Sequence, residues 1–244
     1  MSGHSKWSQI KRKKAITDSK KAKIFSKLGR FISVAIKEKG PDPQNNPTLR
    51  AAIEKAKAIN MPNENIERAI KKGSGEGKSF DEMILEGYGP GGIALLISAI
   101  TDNKNRINQE ARKILLDHGG KLASEGSVKW LFDFVGHMEF SAEAYIGCRE
   151  AMENLAIEND AIDFKTDGDL FVVLTAPDKL HQTKNVFEKA GFSAKDFYLD
   201  FMPKNEIEIT SAADKEQMEK LFDALDEQDD VQEVYSNVRG VGFE

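Results

Sequence analysis

Cysteine and long hydrophobic runs are nearly absent from this sequence. One cysteine among 244 residues, Cys148, excludes an internal disulfide framework and a cysteine-based zinc site. No apolar segment approaches the ~20 residues that a membrane-spanning helix needs, and the first residues lack the apolar stretch of a secretory signal. We therefore expect a cytoplasmic protein with no membrane partner.

The residue sets that catalysis or metal binding requires are also missing. There are no paired carboxylates, no nucleophile beside a base and no histidines with the spacing of metal ligands, and His137 and His181 are isolated. His118, just before Gly119, is expected to meet the terminal carbonyls of its own helix. Cys148 lies on a predicted apolar helix face, which indicates a small core residue. We expect no enzyme, no metal, no cofactor and no small-molecule substrate.

Acidic residues are nearly absent from the start of the chain, where basic residues are dense. Residues 1–78 contain 19 basic and 7 acidic side chains, and residues 79–244 contain the other 16 basic and 33 acidic ones. The net charges are therefore +12 and −17, although the whole chain carries only −5. Such asymmetry indicates that one end meets a polyanion while the acidic part points away from it.

The basic segment carries the candidate nucleic-acid contacts. Lys and Arg side chains release counterions when they neutralise phosphates, and an interleaved Trp offers a face on which a base can stack. Trp7 is the predicted stacking platform. The predicted phosphate contacts are Lys6, Lys11, Arg12, Lys13, Lys14, Lys20, Lys21, Lys23, Lys27 and Arg30. The alternative interpretation is a solubilising tail that has no partner.

Apolar residues recur at helical spacing after the basic segment and predict three helices between residues 20 and 72. Gly40 ends the first helix, Asn46 caps the second, which Pro47 opens, and Gly73 stops the third. These signals predict a small helical unit at the start of the chain.

Strands and helices alternate from residue 80 onward. The predicted elements are a hairpin of 83–85 and 93–100, a helix from 101 to 118, strands 127–135 and 138–141, a helix 142–156, strands 161–165 and 169–175, a helix 178–190, strands 195–202 and 206–210, a helix 212–228 and a strand 231–238. The β-α-β-β-α-β order between residues 138 and 202 is that of a ferredoxin-like sandwich. The acidic helix 212–228 is expected to present a solvated face, and the functional alternative is a platform for a basic ribosomal or transcription protein.

Asp102, Asn103, Asn105 and Arg106 form the best candidate polar site outside the basic segment. Short polar side chains between a strand and a helix can cap the helix or bind a ligand, and capping alone is the favoured interpretation.

Several segments together resemble the YebC/PmpR family, which includes the mitochondrial translational activator of cytochrome oxidase. The segments are Gly3-His4-Ser5-Lys6-Trp7, Lys23-Ile24-Phe25, Asn60-Met61-Pro62, Asn65-Ile66-Glu67-Arg68-Ala69-Ile70, Glu86-Gly87-Tyr88-Gly89-Pro90-Gly91-Gly92, Thr101-Asp102-Asn103, Asn105-Arg106 and His118-Gly119-Gly120. The resemblance covers essentially the whole chain. It implies an α+β fold with an N-terminal three-helix domain followed by two α/β domains, the ferredoxin-like one being inserted in the other. The expected ranges are 1–78 for the basic arm and helical domain, 79–135 plus 204–244 for the middle domain, and 136–203 for the inserted domain.

The resemblance implies one of two functions. Family members are described as DNA-binding transcriptional regulators or as translation factors that relieve ribosome stalling, notably at proline runs. Both functions need a cationic arm, so the residues alone do not separate duplex DNA from ribosomal RNA. Because such an arm suits structured RNA better than a major groove, the ribosome is the favoured target and promoter DNA the alternative. An enzyme that uses Asn103, Arg106 or His118 is the third hypothesis, and a monomer is a plausible state.

Overall fold

The computed structural model describes residues 18–75, 79–167 and 169–239. Within these ranges the chain forms seven α-helices and two four-stranded antiparallel sheets, which confirms the predicted α+β fold class. The chain divides into two compact units, of which one is Phe132–Lys204 and the other contains the described residues before and after it.

Three helices open the described part of the chain. They are α1 (Asp18–Lys39), α2 (Pro47–Ala58) and α3 (Asn63–Gly73). Their shared core includes Ile32 and Leu49, which are fully buried. Asn46 caps α2 as predicted, since its Oδ1 accepts the Leu49 N–H at 3.0 Å. Its Nδ2 donates to the carbonyls of Ala35 and Gly40, so one buried side chain joins the end of α1 to the start of α2.

The same unit contains a four-stranded sheet with two helices packed against it. Its strands, in the order β3-β1-β2-β8, are β1 (Asp81–Tyr88), β2 (Ala94–Thr101), β3 (Lys121–Leu122) and β8 (Val231–Ser236), and the helices are α4 (Lys104–Asp117) and α7 (Ala212–Glu227). Leu95, Ile97 and Ile107 lie in the fully buried core between them. The predicted hairpin is confirmed, but the pairing of Tyr88 with Ala94 makes β1 longer and the turn shorter than predicted.

Two predicted strands of this region differ from the structure. The strand predicted at 127–135 begins only at Phe132 and continues without a break to Ser141. Residues 127–131 form a bend and a short 3₁₀ turn, because the backbone N–H groups of Val128 and Lys129 point to the carboxylate of Glu86 rather than to a neighbouring strand. Residues 206–210 alternate between apolar and polar types, but only Ile207 makes a bridge, to Val238. The alternation indicates which side chains are buried, but it does not show whether the backbone forms hydrogen bonds with a neighbouring strand.

The unit Phe132–Lys204 has the predicted β-α-β-β-α-β order. Its elements are β4 (Phe132–Ser141), α5 (Ala142–Glu158), β5 (Asp163–Asp167), β6 (Leu170–Thr175), α6 (Leu180–Lys189) and β7 (Asp196–Pro203). The antiparallel sheet has the order β5-β6-β4-β7, as in a ferredoxin-like sandwich. Met138, Phe140 and Phe187 are buried in its core.

The predicted burial of Cys148 is wrong, because its side chain is exposed. The helix α5 is kinked at this residue, where φ is −137° and ψ is 28°. The kink shifts the helical phase, so that Met152 and Ala156 continue the buried face and Cys148 does not.

Candidate nucleic-acid interface

Most of the predicted arm contacts lie outside the described residues. These are Lys6, Trp7, Lys11, Arg12, Lys13 and Lys14. Lys20 is in α1, and only its backbone is described. The structure places the four remaining cations, Lys21, Lys23, Lys27 and Arg30, along α1.

Two cations of α1 meet the last turn of the acidic helix α7. The Lys27 Nζ lies 2.9 Å from Oδ1 of Asp226, and the Lys23 Nζ lies 3.6 Å from Oε1 of Glu227. Carboxylates at a helix C-terminus face the negative end of the helix dipole, and these cations offset that repulsion. The acidic helix is therefore not the fully solvated face that the sequence predicted, because its last turn holds the helical domain by ion pairs.

Asp230, in the loop between α7 and β8, joins three parts of the unit. Its side chain is only 2% exposed and accepts from Nη2 of Arg106 at 2.6 Å and from the Thr101 hydroxyl at 2.8 Å. Nη2 of Arg30 lies 3.3 Å from its other oxygen. Arg106 also donates to Asp102, and these hydrogen bonds to the two carboxylates raise the pKa of Arg106 above its usual value. This junction ties α1 to the start of α4 and to β8.

The candidate polar site around Asn103 is part of the same junction. Asn103 caps α4, since its Oδ1 accepts the N–H groups of Asn105 and Arg106 at 3.1 Å each. The favoured capping interpretation agrees with this geometry, although the sequence did not indicate that Arg106 would meet Asp230, 124 residues away. The side chains of Asp102, Asn103 and Arg106 are thus engaged in hydrogen bonds within the protein, and Asn105 takes part through its backbone N–H.

Three exposed cations on α3 were not among the predicted contacts. Arg68, Lys71 and Lys72 are exposed, and within the described ranges no carboxylate forms an ion pair with them. Their three- and four-residue spacing is the signal that could have identified them, because Arg68 and Lys72 lie on one helix face. They extend the basic surface beyond α1.

Glu86 is a buried carboxylate in β1 that organises the loop before β4. Its oxygens accept the backbone N–H groups of Gly126, Val128 and Lys129 at 2.7, 2.5 and 2.9 Å. Burial by itself would raise the pKa of Glu86, but the three N–H groups outweigh this effect and hold the pKa below its usual range.

His137 is not isolated, as the sequence had indicated, but belongs to a buried polar cluster on β4 and β7. Its Nε2 lies 3.6 Å from Glu139 and its Nδ1 lies 3.8 Å from Asp200, and its ring stacks on Tyr198. The Tyr198 hydroxyl donates to Glu139 at 2.5 Å. Burial raises the pKa of Asp200 to about 7, and burial together with the bond to Glu139 raises that of Tyr198. All four side chains are nearly inaccessible, which favours a structural use.

The structure agrees with the prediction that His118 contacts a terminal carbonyl of its own helix. The Nδ1 of His118 lies 2.8 Å from the carbonyl oxygen of Ile114, in the last turn of α4.

Among the described residues, no group of three or more His, Cys, Asp or Glu side chains could hold a metal ion. No helix in the described ranges is both long enough and apolar enough to cross a membrane.

Two family models match this chain in succession. The TACO1/YebC protein N-terminal domain matches residues 5–76, and the TACO1/YebC second and third domain matches residues 80–238. Together they span most of the chain.

Full-length relatives and a crystal structure are also similar to the chain. A probable transcriptional regulatory protein of Thermoanaerobacter pseudethanolicus is 48% identical over 98% of this chain and 97% of the relative. One of Thermotoga maritima is 47% identical over 97% of this chain and 93% of the relative. The crystal structure of a conserved hypothetical protein from Aquifex aeolicus covers 98% of this chain and 100% of its own, with a TM-score of 0.82 and 41% identity.

Proposed function

The chain belongs to the TACO1/YebC family, and from this premise we propose that it is a non-enzymatic regulator of gene expression that binds nucleic acid. The relatives named above are called probable transcriptional regulatory proteins, which supports the general role. Our more specific proposal is that the chain acts at the ribosome, binds ribosomal RNA and relieves stalled translation, including stalling at proline runs.

The observation that carries the proposal is the division of charge along the chain. The first 78 residues carry a net charge of +12, whereas the remaining residues carry −17. A polyanion attracts the first part and repels the second, which orients the molecule before contact. The cations on α3 extend the positive surface into the helical domain.

The helical domain favours RNA as the target over duplex DNA bound through its major groove. The helices α2 and α3 are joined by residues 59–62, a length that suits a helix-turn-helix. In that motif the start of the second helix approaches the bases. In α3 this part carries the exposed carboxylates of Glu64 and Glu67, which phosphates repel. The cations lie in the second half of α3 instead.

Promoter DNA is the second candidate target. The names of the relatives favour it, since they refer to transcription. A sequence-specific DNA regulator would keep its binding in the presence of competitor DNA and would protect a defined stretch of promoter from cleavage.

Sedimentation of cell lysate through a sucrose gradient tests the choice of target. The intact protein is compared with a variant in which Lys11, Arg12, Lys13 and Lys14 are replaced by Ala. We expect the intact protein to travel with ribosomes at low salt and the variant to stay at the top. With about six phosphate contacts, the slope of log affinity against log salt should be about −4 to −5.

A matched control removes four exposed cations from outside the basic segment. The control substitutions are Lys113→Ala, Lys165→Ala, Lys189→Ala and Lys215→Ala. They change the net charge by the same amount and should leave sedimentation unaltered. Intact protein that never enters the ribosomal fractions, but protects a promoter fragment, would replace the ribosome with DNA as the target.

A further inference from the structure

A cleft runs between α1 and α3 in the helical domain. Its volume is about 410 Å³, and Phe80 is among the residues that line it. The residues that matter for its chemistry are Phe25, Ser26, Arg30, Arg68, Lys72 and Phe80. This volume lies in the range of small-molecule sites in proteins.

The close packing of the two helices explains the shape of the cleft. A Cβ placed on Gly29 would lie 3.9 Å from the Cβ of Ala69, so small residues meet where the helices approach. The Ser33 hydroxyl donates to the Ala69 carbonyl at 2.8 Å and holds this approach. Ser26 is one turn away and leaves open space between the helices.

Three cations line the cleft, and their charge is incompletely matched by carboxylates. Arg68 and Lys72 are exposed, and no carboxylate of the described ranges pairs with either of them. Arg30 uses Nη2 for Asp230, but its Nη1 is buried and finds no hydrogen-bond acceptor among the described residues. A buried donor of a charged group without an acceptor is unusual in a native protein. These three side chains indicate an anionic ligand.

The remaining wall of the cleft is apolar. Phe25, Met61 and Phe80 contribute it, and the guanidinium carbon of Arg30 lies 6.0 Å from the centre of the Phe80 ring. A flat apolar wall beside three cations suits a ligand that has a planar group and a negative charge. A nucleotide has both, since its base can stack on an aromatic ring while its phosphate meets Arg and Lys.

We propose that this cleft binds one unpaired nucleotide of the nucleic-acid partner. The phosphate is held by Arg68 and Lys72 beside the positive charge of Arg30, and the base lies against Phe25 and Phe80. The proposal rests on the proposed function and deepens it, because it requires a single-stranded segment in the target. A base paired within a duplex cannot enter the cleft.

Fluorescence anisotropy with the full-length protein tests the cleft. The probes are a labelled 12-nucleotide single-stranded RNA and a blunt-ended RNA duplex of the same sequence. The first variant, Arg68→Ala with Lys72→Ala, removes two cations of the cleft. The second, Ser26→Leu, fills the cleft without changing the charge. The control, Arg50→Ala with Lys57→Ala, removes one Arg and one Lys that are exposed on α2 of the same domain, outside the cleft and away from the cations of α3.

We expect both cleft variants to weaken single-strand binding by about tenfold or more, and to affect duplex binding much less. The charge variant should also reduce the steepness of the salt dependence by about 0.7, which corresponds to the one single-strand phosphate held in the cleft. The control should lose less than about twofold. Circular dichroism checks that each variant keeps its helices.

Three outcomes overturn the proposal. If the control loses as much affinity as the charge variant, the cations act only through general electrostatics. If Ser26→Leu binds single strands as the wild type does, no nucleotide occupies the cleft. In both cases the wild type still binds RNA, so the proposed function stands. If the wild type binds neither probe, the proposed function and the cleft fail together.

Discussion

Each of the two sheets buries a carboxylate, and the two carboxylates have opposite properties. Glu86, in β1 of the first sheet, accepts three backbone N–H groups, and its pKa lies below its usual range. Asp200, in β7 of the ferredoxin-like sheet, accepts one backbone N–H group, that of Phe201 at 2.9 Å. Burial and the negative charge of Glu139 outweigh this bond, and they raise the pKa of Asp200 to about 7.

The difference teaches that burial does not decide the charge state of a carboxylate by itself. A buried carboxylate stays ionised where backbone dipoles replace its water, as at Glu86, and takes up a proton where they do not. At Asp230, two guanidinium groups and a hydroxyl take the place of water around the carboxylate. Glu86 and Asp230 each join separate segments of the chain, whereas burial raises the pKa of Asp200 to about 7.

Replacing Glu86 by Ala should have the largest effect. It leaves three partly or fully buried N–H groups without an acceptor, so we expect the free energy of unfolding to fall by about 3 kcal/mol. Urea denaturation measures the change. Glu125→Ala, an exposed neighbour in the same loop, should stay within about 0.5 kcal/mol of the wild type. An equal effect of the two substitutions would mean that the bonds of Glu86 do not hold the loop.

Replacing Asp230 by Ala should cause the second-largest loss in the free energy of unfolding. It leaves Arg30 and Arg106 without this partner, but Arg106 is 40% exposed and can be hydrated, so we expect a loss of about 2 kcal/mol. Hydrogen exchange of the α1 amides should increase at the same time, because α1 loses the Arg30 ion pair and keeps only those of Lys23 and Lys27 with α7 among the three described above. Unchanged exchange in α1 would contradict the role of Asp230 as a junction.

Asp200 should make stability depend on pH with the sign opposite to that of Glu86. Its folded-state pKa lies above its unfolded value, so the folded state binds the proton more tightly and stability falls as the pH rises from about 4 to about 7. Asp200→Asn should remove this decrease, which is at most about 4 kcal/mol. His137, Glu139 and Tyr198 also face this group, so urea denaturation at several pH values should be repeated with His137→Gln.

Glu86→Gln is the matched comparison for the pH experiment. The lowered pKa of Glu86 contributes stability that is present above its unfolded value and is lost as the pH falls through the folded value. The Gln variant should therefore lose the acid-induced part of the curve and keep the decrease between about pH 4 and 7. If Asp200→Asn and Glu86→Gln changed the same part of the curve, the contrast between the two sheets would be wrong.

The smallest effect is expected at a partly buried ion pair. The Lys27 and Asp226 side chains are 16% and 33% exposed, so water still reaches both groups and Lys27→Ala should cost about 1 kcal/mol. Combining it with Asp226→Ala gives a double-mutant cycle that measures the pair. The coupling should shrink at high salt, and a coupling that does not respond to salt would argue against an ion pair.

Local signals were sufficient to predict much of this fold. Asn46, Asn103 and His118 were read correctly because a cap involves residues at most four positions apart. The helix and strand order of the ferredoxin-like unit followed from periodicity. Predictions failed where a distant group changed the local preference. The carboxylate of Glu86 accepts the N–H groups of Val128 and Lys129, so these residues do not join a strand.

The candidate site was predicted only in part. The cations of α1 were found from charge alone, but their carboxylate partners at Asp226 and Asp230 lie about 200 positions away in the chain. The cleft between α1 and α3 was not predicted, since Arg68 and Arg30 are brought together by helix packing. No local pattern records which side chains share a cleft.

The sequence by itself determined the division of charge, the helix caps, the order of elements and the family. These properties depend on composition, on neighbours within one or two helical turns, or on residue identities in order. Only the tertiary structure decided which cations are paired, which carboxylates stay charged and where an unpaired nucleotide could bind. These depend on groups that are far apart in the chain and close in space, because electrostatic and hydrogen-bond energies act over a few ångströms regardless of chain position.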